Sequence, residues 1–116
     1  MRDDLARLRD ILRAIDQIQQ ETRVSRSRFA EDRKLQVWVL YHLQVIGEAS
    51  RGLTAEFRSQ NPDAVWSKAV GLRNILVHHY FEIDEELIWQ VVIQDLPPFR
   101  EKAMVALRQL DVPRNT

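Results

Sequence analysis

Between Leu5 and Ile18 the apolar residues fall at Leu5, Leu8, Leu12, Ile15 and Ile18, with Ile11 beside them. Steps of three and four place them on one side of a helix, so an amphipathic helix is predicted over residues 3–20. Asp3 and Asp4 stand at its start, where the helix dipole favours negative charge. The polar stretch 21–28 (ETRVSRSR) marks a break. A second, longer helix is predicted from about Phe29 to Ser59. Its middle is apolar nearly all round: Val37, Trp38, Val39, Leu40, Leu43, Val45 and Ile46. Such a helix is covered on more than one side, which in a short chain implies a central helix whose second face meets another subunit. Gly47 and Gly52 weaken it by ~1 kcal/mol each relative to Ala and leave room for another backbone to approach.

Ser59-Gln60-Asn61-Pro62-Asp63 is the clearest breaker in the chain. A third helix is predicted from about Asp63 or Ala64 to His79, with Val65, Trp66, Ala69, Val70, Leu72 and Leu76 on its buried side and Ile75 at that side's edge. Phe81-Glu82-Ile83 connects it to a fourth. Asp84 suits the N-cap there, and Glu85 and Glu86 suit the first turn. That helix carries Leu87, Ile88, Val91, Val92 and Leu96 and is expected to stop at Pro97-Pro98. A last helix runs from about Pro98 to Leu110, and residues 111–116 should fray. The expected fold is all-α: a four- to five-helix up-and-down bundle forming one domain over residues 1–116.

Composition narrows the function classes. The 116 residues hold 17 basic and 17 acidic side chains, so the formal net charge is zero. A protein that coats long nucleic acid needs a broad basic face, which this balance does not supply. With no cysteine, disulfides, iron–sulfur clusters and thiolate zinc sites are excluded. No stretch approaches the ~18 apolar residues of a membrane span. The opening MRDDLARLRD has no apolar core, so it does not read as a secretion signal, and a cytoplasmic location is expected. Charge is uneven along the chain: Glu82, Asp84, Glu85, Glu86 and Asp95 form an acidic block best read as a solvated helix face.

The chemistry-bearing segment is Gly71-Leu72-Arg73-Asn74-Ile75-Leu76-Val77-His78-His79-Tyr80. On a helix, Asn74 and His78 stack one turn apart, and Arg73 and Tyr80 lie close to one line. One helix end therefore carries a cation, an amide, two imidazoles and a phenol, all groups that bind or process a phosphodiester. Metal-free RNA cleavage needs a base for the 2′-hydroxyl proton and an acid for the leaving oxygen. Histidine serves either role near neutrality, and an arginine fork holds the phosphoryl oxygens. Arg73 and His78 point ~140° apart on one helix, so one copy cannot converge on a single phosphate. A two-fold dimer facing two such helices across a cleft would. Glu48 could face the same cleft or pair with an arginine. His42 reads as a packed histidine, and Trp38, Trp66 and Trp89 as core or interface fillers. Three histidines, two of them adjacent, make a metal site improbable, and no cofactor motif is present.

At Arg73-x4-His78-x-Tyr80 the chain resembles the HepT-like ribonuclease toxins of the HEPN superfamily. The likeness extends to Arg7-Leu8-Arg9-Asp10-Ile11-Leu12, Phe29-x-x-Asp32, Val45-Ile46-Gly47-Glu48-Ala49, Trp66, and Ile83-Asp84 through Trp89 to Leu96-Pro97. The second histidine, His79, stands at a variable family position. The resemblance implies an α-helical homodimer with its Arg–His motifs facing at a symmetric cleft. It implies a metal-independent endonuclease acting on tRNA or mRNA, with Arg73 and His78 catalytic and Asn74, His79, Tyr80 and Glu48 in support. It also implies a toxin–antitoxin pairing of type VII character, in which an MNT-type nucleotidyltransferase silences the toxin by transferring AMP to Tyr80. The other reading is a non-catalytic module whose groove binds a nucleotide or the partner, and which is itself the nucleotidyltransferase's substrate.

Overall fold

The computed structural model describes residues 2–61, 66, 68–71 and 83–111, and no strand occurs among them. Helix α1, Arg2–Glu21, confirms the first predicted element. Its Leu8, Ile11, Ile15 and Ile18 are fully buried, each contributing ~1.5–3 kcal/mol of apolar burial. They pack against α3, Arg33–Arg51, and against the last helix, Leu96–Asp111.

The long second helix is three helices. A short α2, Arg26–Glu31, begins inside the expected polar break, because the Ser25 hydroxyl accepts from the Arg28 N–H at 3.2 Å. Asp32 then ends α2 and starts α3: its backbone N–H reaches the Phe29 carbonyl and its carboxylate accepts from the Leu35 N–H at 3.0 Å. At the far end Gly52 closes α3, and Thr54 caps α4, Ala55–Gln60, through the Phe57 N–H at 3.1 Å. The Arg58 guanidinium also donates to the terminal α3 carbonyls of Ser50 and Arg51, at 2.7 and 3.0 Å. What approaches Gly52 is the Arg7 side chain rather than a second backbone.

Asp4 joins this corner to α1. Its carboxylate is 1% exposed and accepts from the Thr54 N–H at 2.8 Å and the Thr54 hydroxyl at 2.7 Å. Phe57, Trp66 and Phe99 make two edge-on ring contacts, each at 5.5 Å, that fasten α4 to the last helix. Trp66 and residues 68–71 are helical, as the third predicted helix requires; the rest of that element lies outside the described residues.

The C-terminal elements form one continuous helical run. Asp84 caps Glu85–Gln90 as expected, accepting from the Leu87 N–H at 3.1 Å. A π-helical stretch, Val91–Asp95, leads directly into Leu96–Asp111 without a connecting loop at Pro97-Pro98. The Leu96 N–H reaches back five residues to the Val91 carbonyl. This wider turn precedes the prolines and places them in the first turn of the following α-segment, where a missing N–H is tolerated. The predicted stop is thus a change of helical pitch. Residues 112–116, most of the expected frayed tail, lie outside the described residues.

Of the acidic block, Glu82 lies outside the described residues, Asp84 and Glu86 are exposed as a solvated face requires, and Glu85 and Asp95 are half-buried. Glu85 accepts from the buried Gln36 amide at 3.2 Å, Glu86 meets Arg26 at 3.1 Å, and Asp95 meets Lys68 at 3.4 Å. The Arg26–Glu86 pair and Phe29 against Trp89 at 5.1 Å join α2 to the start of the C-terminal run, and Gln36–Glu85 joins α3 to it. No helix among the described residues is long and apolar enough to cross a membrane.

Candidate functional site

Arg73, Asn74, His78, His79 and Tyr80 lie outside the described residues. Glu48 is the sequence-nominated site residue whose surroundings are visible. It is exposed on α3 and lines a groove with Arg7 and Asp10 of α1 and Tyr41, Gln44 and Val45 of α3.

The groove follows from how two helical stripes pair. Along α1, Leu8, Ile11 and Ile15 turn inward, which leaves Arg7, Asp10 and Arg13 on the adjacent edge. Along α3, Val39, Leu43 and Ile46 turn inward, which leaves Tyr41, Gln44 and Glu48 on theirs. The two edges meet as the walls of two adjoining hollows, of about 370 and 270 Å³, that share Asp10, Tyr41 and Val45. The wall charges alternate: Arg7 and Arg13 against Asp10 and Glu48, with Arg13 and Asp10 3.6 Å apart.

The aromatic side of the groove is built in layers. The His42 ring lies 4.1 Å from the Trp38 ring, and its Nδ1 is 2.8 Å from the Trp38 carbonyl. Because a carbonyl only accepts, that nitrogen carries a proton. Tyr41 meets His42 edge-on at 5.2 Å and is itself 61% exposed. The packed-histidine reading of His42 therefore holds, and so does the core role of Trp66, which is 3% exposed. The second face expected on α3 exists only in part: Val37 and Tyr41 are open, while Trp38 and Val45 are partly covered within the chain.

Reading the sequence singled out Glu48 but missed Arg7, Asp10, Tyr41 and Gln44 as its neighbours. A signal was there: Tyr41, Gln44 and Glu48 are a polar stripe at helical spacing on an otherwise apolar helix. Which α1 residues would face that stripe depends on the packing of the two helices, which periodicity alone does not set.

Comparison with known proteins adds an independent line. The family described as "Ribonuclease HepT-like" matches residues 11–106. The chain is 36% identical over 105 residues to a Methanocaldococcus jannaschii protein named "Putative RNase MJ1380", covering 90% of this chain and 96% of that one. It is 34% identical over 96 residues to the "Probable ribonuclease HepT" of Thermococcus cleftensis, covering 82% and 87% of the two chains. It is also 32% identical over 109 residues to a two-function M. jannaschii protein, "Gamma-glutamylcyclotransferase and putative RNase MJ0434", of which it covers 49%. No solved structure matches significantly.

Proposed function

Because the chain belongs to the HepT-like ribonuclease family, we propose that it is a metal-independent RNA endonuclease and the toxin of a toxin–antitoxin pair, acting in the cytoplasm as a homodimer. The observation that carries this reading is the family match over residues 11–106, which spans the whole Arg73–Tyr80 motif.

The chemistry assigned to those residues is a transesterification. His78 of one protomer takes the 2′-hydroxyl proton, the 2′-oxygen attacks the adjacent phosphorus, and the bond to the 5′-oxygen of the next nucleotide breaks. His78 of the second protomer protonates that leaving oxygen, so the proton count balances and a 2′,3′-cyclic phosphate remains. Arg73 holds the phosphoryl oxygens as their charge grows, and Asn74 orients the imidazole. His79 and Glu48 support the cleft, and Tyr80 positions substrate. The exposed Val37 on α3, 47% accessible on a helix otherwise buried along much of its length, supports a second copy nearby.

The inhibitory partner in this reading is an MNT-type nucleotidyltransferase that transfers AMP from ATP to the Tyr80 oxygen and releases pyrophosphate. The added phosphate brings negative charge beside Arg73, where an RNA phosphate would otherwise bind.

The test is cleavage of total tRNA in EDTA by purified wild type, His78→Ala and Arg73→Ala. General acid–base catalysis contributes ~10²–10⁴-fold, so His78→Ala should lose at least about a hundredfold in rate. Equal cleavage by all three preparations would exclude the assigned chemistry. Absence of cleavage by any of them, with tight capture of the nucleotidyltransferase, would favour the non-catalytic module.

A further inference from the structure

Apart from Glu48, the groove between α1 and α3 has a lining that the cleavage chemistry above does not use. On one wall stands an open aromatic ring, Tyr41, 61% exposed and backed by the His42–Trp38 pair. On the other stand Asp10 and Arg13, a carboxylate and a guanidinium 3.6 Å apart. Tyr41 and Asp10 border two adjoining hollows, one of about 370 Å³ beside Arg7 and one of about 270 Å³ beside Arg13. They stand at the lower end of the ~300–1,000 Å³ typical of sites for small organic ligands. An exposed ring on a fixed aromatic base is a platform for a flat heterocycle. Stacking of one base on such a platform is worth ~1–3 kcal/mol and is indifferent to which base it is.

The opposite wall supplies the discrimination. A groove built to grip phosphates would be uniformly basic, whereas here two arginines are balanced by two acids, which suits a base edge better than a backbone. A carboxylate accepts hydrogen bonds only, and a guanidinium donates only. Guanine offers the complementary set: N–H donors at N1 and the 2-amino group, and acceptors at O6 and N7. Adenine turns an acceptor, N1, toward the position where the carboxylate needs a donor. The pyrimidines offer a smaller stacking face and fewer of the paired groups.

We propose that the α1–α3 groove is a guanine subsite, in which Tyr41 stacks the base, Asp10 accepts from N1–H and the 2-amino group, and Arg13 donates to O6. The occupant is an unpaired guanine of single-stranded RNA. That identification of the occupant rests on the ribonuclease reading; recognition of the base does not.

The test is a titration of isotopically labelled protein with GMP, AMP, CMP and UMP, followed by NMR shifts at Tyr41, His42 and Gln44. GMP should bind at these residues about fivefold or more tightly than AMP, the lower end of what one well-formed base-edge pair supplies. Tyr41→Ala should weaken every nucleotide by about tenfold, consistent with loss of one stacking contact. Asp10→Asn should erase the preference for GMP over AMP while leaving the stacking-dependent shifts in place. Equal affinity for all four nucleotides, or shifts located away from the groove, would overturn the subsite. So would nucleotide binding that survives Tyr41→Ala while sedimentation shows the variant's oligomer dissociating, since the groove would then be a protein contact. A short oligoribonucleotide with a single guanine distinguishes the source: it should bind more tightly than GMP, and tighter binding of free GMP would overturn RNA as the occupant. GMP selectivity in a protein that cuts no RNA would remove the nuclease reading alone. Cleavage that is indifferent to Tyr41 and to guanine would remove the subsite alone.

Discussion

Two aspartates of α1, Asp4 and Asp10, are nearly two helical turns apart and have opposite fates. Asp4 is 1% exposed, with both oxygens taken by Thr54 at the corner where α3 gives way to α4. Asp10 is exposed on the wall of the groove, 3.6 Å from Arg13. The dipole argument treats the acids of the first turn alike, yet Asp3 is exposed while Asp4 is buried. What separates these residues is the element that arrives later in the chain. Thr54 brings two donors to Asp4, while the α3 edge brings Tyr41 and an opening to Asp10. The first arrangement spends a carboxylate on architecture; the second leaves one available for recognition.

Substitutions at the two corners should differ in size and in what they change. Asp4→Ala removes two hydrogen bonds from Thr54 to a buried carboxylate and should lower unfolding free energy by ~1–3 kcal/mol in a urea melt, with nucleotide selectivity unaltered in the fraction that stays folded. Asp32→Ala removes the cap shared by the α2–α3 junction and should cost about 1 kcal/mol in the same melt. Asp10→Asn should change stability by less than about 0.5 kcal/mol, because its ion pair is exposed and worth little. If Asp10→Asn destabilised the protein as much as Asp4→Ala does, the division between architecture and recognition along α1 would be lost.

Much of this fold was legible from periodicity. The buried stripe of α1, the Asp84 cap and the core position of Trp66 all follow from spacing and residue type. The caps at Asp32 and Thr54 were not legible, because both residue types also occur within helices and the apolar pattern continues past them. Pro97-Pro98 misled for a different reason: a proline pair predicts a stop only if the preceding turn keeps α pitch, and Val91–Asp95 does not. The candidate site divides in the same way. Arg73, Asn74, His78 and Tyr80 declare themselves as a local motif, since they fall close together along the chain. The Arg7, Asp10 and Tyr41 grouping is non-local, assembled from residues more than thirty positions apart by the packing of α1 on α3.

The assigned chemistry has one nucleophile, the 2′-hydroxyl, and this permits a direct measurement. A labelled oligoribonucleotide and its fully 2′-O-methylated copy are incubated with the wild-type protein in EDTA, and the products are resolved by length and end group. Cleavage of the ribonucleotide alone, leaving 2′,3′-cyclic phosphate ends, is the predicted result. Equal cleavage of both strands, or of neither, would contradict it.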